Sequence, residues 1–328
     1  MAQAILYQAL KFRYPHPAPT FHPSRMAVPF PALALKERIG RISEMHSWAS
    51  LLPEQETYSP ERLLLTSTKP CQMLTSLRGR VWSLSRDPQG CREVQFALDN
   101  AATDEDRALL ASELRGNIRE AIRCPHANHV IQKCITTMNP PEYQFIIDEL
   151  MTGPTIFQAV RHKYGCRIVQ RLLEQALATQ VHNIAEAILS DIYWISRHPY
   201  GNFVMQHLLQ CGVDDHRHRI CKAMGHDIAG LGKDTHGRAV ISSAMACAAH
   251  EDRVMIARAI FREPGLLIAL ARTRHGHLAA KGVVEVLEGK ELEDARRLLI
   301  AEDLLGESRF CRAAPRHPGV RRRLVSKA

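Results

Sequence analysis

Gly165-Cys166-Arg167-Ile168-Val169-Gln170 is one of four copies of a single hexad. Each has a small leading residue, then Cys or Asn, then Arg, His or Phe, two mostly apolar residues, and Gln. The other copies are Gly90-Cys91-Arg92-Glu93-Val94-Gln95, Ala127-Asn128-His129-Val130-Ile131-Gln132 and Gly201-Asn202-Phe203-Val204-Met205-Gln206. Their leading residues stand 37, 38 and 36 positions apart. A near-constant period of that length marks a stacked repeat array.

Set on a helix at about 100° per residue, the residues one and five places after the leader lie nearly one above the other. Cys166 and Gln170 therefore share an edge, and Arg167 flanks it. Ile168 and Val169 turn away, toward neighbouring helices. The polar edge suits an unstacked RNA base: Gln and Asn carry both donors and acceptors, and Arg, His or Phe offers a flat surface for stacking. A surface edge of a HEAT or armadillo array is the alternative that this geometry leaves open.

The alternation of Cys-Arg-x-x-Gln with Asn-His/Phe-x-x-Gln closely resembles the base-reading helices of Pumilio-type (PUF) repeat proteins. The resemblance covers about residues 81–310. It implies an all-α fold, a right-handed α-solenoid of three-helix repeats about 36–39 residues long, similar to the Pumilio-homology and armadillo superhelices. In that family the first and fifth residues hydrogen-bond a base edge and the second stacks between bases. Asn with Gln favours uracil, Cys with Gln favours adenine, and the chain runs antiparallel to the RNA. Carried over residue by residue, Asn202 and Gln206 read U, Cys166 and Gln170 A, Asn128 and Gln132 U, and Cys91 and Gln95 A. The implied core is 5′-UAUA-3′. Stacking falls to Arg92, His129, Arg167 and Phe203, at about 1–3 kcal/mol per stacked base.

Two later units keep the phase, at Gly237 and Gly276, but lose the readers. The fifth has Arg238, Ala239 and Ser242, and the sixth has His277, Leu278 and Lys281. The Ser-Asn-x-x-Glu helix with which family members read the guanine of a UGU element is not found. Glu93 also departs from the pattern, standing where the other readers have Val or Ile. It marks either an end cap or a weakened repeat.

The composition fits a helical repeat protein, with 45% hydrophobic and 6% aromatic residues. No uninterrupted apolar run approaches the roughly 18 residues of a membrane span. The nine cysteines, an odd number, favour a reducing compartment over a disulfide framework. The net charge of +9 is unevenly spread. Residues 1–36 carry four cations and no acid, and residues 309–328 carry seven and no acid. That leaves −2 for everything between. Attraction to a polyanion in the repeats must therefore come from charges placed on one face.

Residues 1–36, rich in Pro and His, read as a disordered leader, with a mitochondrial transit peptide as the alternative. Residues 37–80, broken by Pro53, Pro60 and Pro70, read as an irregular or helical cap. Residues 81–310 form the repeat domain and 311–328 a basic tail. The tail's Arg321-Arg322-Arg323 is a nuclear signal, a phosphate clamp or a solvated terminus. Within the repeats, Asn139-Pro140 reads as a helix start. The third unit reads as helices over 156–162, 166–176 and 180–189.

No cofactor or metal is expected. Cys211, His216, His218 and Cys221 match no familiar zinc spacing, and His216 and His218 point to different faces of a helix. Cys124 and His126 with His129 invite the same thought, but His129 already has a repeat role. No Cys–His pair, phosphate loop or carboxylate pair singles out an enzyme. The expected function is sequence-specific binding of single-stranded RNA, with post-transcriptional control of mRNA translation or stability implied by the resemblance. Expected partners are mRNA 3′ untranslated regions and repression or decay proteins, for a monomer in the cytoplasm, with nuclear, nucleolar or mitochondrial placement as alternatives. A factor for structured RNA or pre-rRNA processing, and a protein-interaction solenoid, are the competing functions.

Overall fold

The computed structural model describes residues 75–302, all of which fall in one compact unit of the chain, Thr57–Ala328. The leader at 1–36, most of the cap at 37–80 and the basic tail lie outside the described residues. From Val81 to Ala301 eighteen helices follow one another, and the described residues contain no strand.

The helices come in six sets of three. The first unit is α1 (Val81–Ser85), α2 (Gly90–Asn100) and α3 (Asp104–Ser112); the second is α4 (Ile118–Ala121), α5 (Ala127–Thr137) and α6 (Gln144–Met151). The third is α7 (Thr155–Val160), α8 (Gly165–Gln175) and α9 (Ala178–Leu189); the fourth is α10 (Ile192–Arg197), α11 (Gly201–Cys211) and α12 (Asp214–His226). The fifth is α13 (Ile228–Lys233), α14 (Thr235–Cys247) and α15 (His250–Arg262); the sixth is α16 (Leu266–Ala271), α17 (His277–Val286) and α18 (Gly289–Ala301). The third unit's helices agree with the sequence reading to within about two residues, the usual uncertainty of helix ends.

Each hexad opens or lies within the first turns of a second helix, and the six second helices stack in order, each against the next. The apolar pairs of the second to fifth units form their shared core, joined in the first unit by Val94 alone. Val130, Ile131, Ile168, Val169, Val204, Met205, Val240 and Ile241 are all fully buried. At about 1.5–3 kcal/mol for each large aliphatic side chain removed from water, this row is a main source of the array's stability. Third helices α6, α9, α12 and α15 pack in a second row.

The leading glycine has a steric cause. A Cβ built on Gly90, Gly165, Gly201 or Gly276 would sit 2.6–2.7 Å from the carbonyl oxygen six residues earlier, in the last turn of the preceding short helix. The second helix therefore starts in backbone contact with the first. The second helices also end alike. Met138, Ala176, Gly212, Ala248 and Leu287 are extended residues, and each donates its N–H to the carbonyl four residues back.

Local caps supply the remaining starts. Thr103 Oγ1 accepts from the Asp106 N–H at the head of α3, whose first turn holds Asp104, Glu105 and Asp106, favourable at the positive end of a helix. Asp234 Oδ1 accepts from His236 and Gly237 at the head of α14. Asn139-Pro140 does not start a helix. Pro140–Tyr143 form a turn closed by the Glu142 N–H donating to the Asn139 carbonyl (2.9 Å), and α6 begins at Gln144. The Asn139 Nδ2 group donates to Asp104 Oδ2 in the preceding unit, at 3.1 Å.

Candidate nucleic-acid interface

The stacked second helices bring the predicted readers into one row. Cys91, Asn128, Cys166 and Asn202 are buried, between 1% and 5% exposed. Gln170 and Gln206 are 6% exposed, and Gln95 and Gln132 are half-buried. Of the predicted stackers, Arg92 is exposed, and His129, Arg167 and Phe203 are half-buried. The flanking residues are thus more exposed than the Cys or Asn beside them.

The two Asn units are built identically. Asn128 Nδ2 donates to the carbonyls of Cys124 (2.8 Å) and Pro125 (2.9 Å), and Asn202 Nδ2 donates to those of His198 (2.8 Å) and Pro199 (2.9 Å). Both amide hydrogens are spent, which fixes the orientation of the group. The Asn Oδ1 then accepts from the Gln Nε2 four residues on, at 2.9 Å in each case. Asn therefore holds Gln, which leaves the second Oδ1 lone pair of Asn and the Oε1 and second N–H of Gln without a hydrogen bond among these contacts.

The Cys units differ. The Cys91 thiol reaches the Pro88 carbonyl at 3.3 Å and the Cys166 thiol the Lys163 carbonyl at 3.5 Å. Gln95 Nε2 donates back to the Cys91 carbonyl (3.1 Å), whereas Gln170 Oε1 accepts from Arg167 Nη1 (3.3 Å). Gln170 Nε2 is buried with no hydrogen-bond partner among the described residues. An unsatisfied buried donor costs about 1–3 kcal/mol, so this amide is less well satisfied than those of the Asn units.

Burial pushes the Cys166 thiol up to about 11, with Arg167 opposing, and also raises Cys91. Both stay thiols at neutral pH, able to donate a weak hydrogen bond but not to act as nucleophiles. Burial and the nearby His126 lower His129, which favours the neutral ring.

The loop that positions Asn was not part of the sequence reading, although a signal for it exists. Pro88, Pro125 and Pro199 each stand two residues before the leader. Two of their carbonyls hold an Asn amide, and the third accepts the Cys91 thiol. Glu93 is half-buried in the first turn of α2.

Units five and six have put the reader register to other use. Ser242 Oγ is buried and donates to the His275 carbonyl of the next unit at 2.6 Å. Arg238 folds back onto the carbonyls of Gly232 and Lys233. Lys281 is exposed, 4.0 Å from Glu285.

Residues once considered for a metal do not converge. Cys211 is exposed and Cys221 buried; His218 pairs with Asp252 at 2.7 Å, whereas His216 turns inward to His182 at 3.3 Å. His182, Glu186 and His216 do bring ligand-type atoms within 4.8 Å of one another. The Arg219 guanidinium already binds both Glu186 oxygens, placing a positive charge where a cation would sit. Among the described residues no helix is long and apolar enough to cross a membrane.

A model of the Pumilio-family RNA binding repeat matches residues 80–115, 123–151, 160–189 and 191–224, the four units that carry complete hexads. A Pumilio domain-containing protein of Schizosaccharomyces pombe is 28% identical over 106 residues, which is 32% of this chain and 15% of that protein. This chain thus matches only a small part of the relative's length. Among solved structures, the crystal structure of PUF-8 in complex with PBE-RNA superposes with a TM-score of 0.64 at 23% identity, covering 71% of this chain and 68% of that one. The Puf3 RNA binding domain, bound to a recognition sequence of the Cox17 RNA 3′ UTR, gives 0.63 at 22% identity, with 72% of each chain covered. These two likenesses concern the fold, and they span more of the chain than the four matched repeats. The matched family is one of RNA-binding repeats and not of enzymes. The chain thus carries four Pumilio-family repeats on its four reader units, within a solenoid fold that extends beyond them.

Proposed function

We propose that this protein binds single-stranded RNA by sequence, with a core of 5′-UAUA-3′. Asn202 with Gln206 and Asn128 with Gln132 take the uracils. Cys166 with Gln170 and Cys91 with Gln95 take the adenines. Arg92, His129, Arg167 and Phe203 supply the surfaces between bases. The observation that carries this reading is the row of four Cys/Asn–Gln readers held in one register on the stacked second helices. The Puf3 structure, with its 3′ UTR sequence, supports mRNA untranslated regions as the RNA class, and control of translation or stability is the purpose this proposal assigns.

The test is binding of UAUA-containing RNA against the same RNA with CCCC in place of the core, at moderate salt. Preference for UAUA is expected, and equal affinity removes the claim of base reading. Gln170→Glu should shift the preferred base at the second position of the core. Ser242, engaged with the next unit, favours a second reading in which the scaffold holds structured RNA with little base choice. Under that reading Gln170→Glu leaves base preference unchanged.

A further inference from the structure

Four residues before each of the six leaders stands a cation: Arg86, Arg123, Arg161, Arg197, Lys233 and Arg272. Lys and Arg are 43 of 328 residues, about one in eight, and residues 37–308 are net negative, so general basicity does not account for six in one register. Each cation lies at the last residue of a unit's short first helix or within two residues beyond it. They run in step with the heads of the reader helices. Arg197 is half-buried and the other five are exposed.

Two ordinary roles explain only part of this row. A cation complements the negative end of a helix, but helices of four to six residues have little dipole to complement. The cations also reach along the array. Arg123 Nη2 donates to Gln158 Oε1 (2.9 Å), and Arg197 Nη2 donates to the Gly230 carbonyl (2.7 Å), each in the next unit. Arg161 Nε donates to the Phe157 carbonyl of its own helix. Those acceptors are neutral, so the contacts aim the side chains without cancelling their charge.

Among the described residues, ion pairs meet the row at its ends, with Glu120 3.9 Å from Arg86 and Glu302 paired with Arg272, while the Asp227 carboxylate also feels Arg197 and Lys233 without an ion pair at contact distance. Asp87 and Asp234, next to the cations in sequence, accept backbone N–H groups at the heads of α2 and α14. The local potential leaves a trace on the imidazoles between the rungs. Burial lowers His162 and His198 first, and Arg123 with Lys163, and Arg161 with His236, lower them further.

We propose that these six cations form a sequence-independent track for the RNA phosphate backbone, continuing through units five and six, where no base is read. The proposal rests on the RNA-binding reading above and deepens it. The four reader units select the core, and the track holds flanking nucleotides beside it. Carried over from the family's antiparallel arrangement, that flank is the 5′ side.

The experiment measures RNA affinity against salt for the full chain and its Arg161→Gln/Lys233→Gln variant. The probes are a single strand with UAUA near its 3′ end and a 5′ flank, and the same strand with CCCC replacing the core. Each lost phosphate contact to a single strand should lower the log–log salt slope by about 0.7. Between 50 and 200 mM salt the wild type should then lose about sevenfold more affinity than the double variant. The reduction in slope should be equal for both probes, with thermal midpoint and base preference unchanged. Arg161→Lys/Lys233→Arg should retain the wild-type slope. An unchanged slope in the Gln variant, with or without a lower melting temperature, overturns the track and leaves the row as links between units. Loss of UAUA preference in the wild type with the slope effect intact removes base reading and keeps the track. Failure of the wild type to bind either probe removes both.

Discussion

Gly165→Ala places a methyl group where the structure has backbone. The new Cβ would lie 2.6 Å from the Ala159 carbonyl oxygen and 2.7 Å from the Ala159 Cα. Ordinary heavy-atom separation is about 3.5 Å or more, so α7 and α8 must part by about 1 Å. Neither obstacle is a side chain that can rotate away. Overpacking of this kind costs about 1–3 kcal/mol, and the reduced freedom of the unfolded chain returns up to about 1 kcal/mol. A net loss of about 1–2 kcal/mol corresponds to a fall of about 2–8 °C in melting temperature for a domain of this size. Because α8 carries Cys166, Arg167 and Gln170, affinity for UAUA RNA should fall with it. Thermal melting, urea titration and RNA binding on the same preparation check both halves. Ala127 occupies the equivalent place in the second unit, so Ala127→Gly should leave RNA affinity intact. A Gly165→Ala protein that melts at or above the wild-type temperature would refute the close-contact argument.

His162 Nδ1 accepts the Tyr164 N–H, and His198 Nδ1 accepts those of Tyr200 and Gly201. Both imidazoles are held below their ordinary 6.5 by burial and then by neighbouring cationic and imidazole groups. With the folded-state value depressed, the unfolded chain takes up the proton first. Stability should be full above about pH 6.5 and decline as pH falls toward the folded-state values. The urea midpoint should be lower at pH 5.5 than at 7.5, and His198→Asn should reduce the difference; equal midpoints would contradict the assignment. Cys166, buried and pushed up to about 11, should resist iodoacetamide in the native protein at pH 7.5 and react on unfolding. Mass spectrometry of the alkylated peptides reads this out, and rapid native labelling would count against it. Asn202→Ala removes the acceptor that holds Gln206. It should cost about 1 kcal/mol in stability and weaken RNA binding more for a matched first uracil than for a mismatched one, as paired titrations would show.

The six-unit frame was legible because the hexad joins a steric requirement, Gly at a backbone contact, to a buried pair such as Ile168 and Val169. Both leave marks on residue type at fixed spacing. The roles within the site were less legible. Asn128 and Gln132 read in the sequence as equal partners for a base, and the structure adds that Asn128 holds Gln132 through Oδ1. That hold depends on where the Cys124 and Pro125 carbonyls point, and a carbonyl has no residue type. Asn139-Pro140 reads as a helix start in the sequence, but the next residues close a turn and the helix begins only at Gln144. In the sequence Ser242 reads only as a lost reader, and the three-dimensional stacking reveals its bond to the His275 carbonyl. The cation register was present in the sequence from the start. Charge summed over the whole region conceals charge that recurs at a single phase.

The saturated amides of Asn128 and Asn202 bear on the timing of recognition. A support whose hydrogens are already committed has nothing to rearrange when RNA arrives, so encounter proceeds at similar rates for matched and mismatched strands. Discrimination then appears in how long each strand stays. In the Asn units selectivity would be written in residence time, with the arrival rate governed by charge and salt.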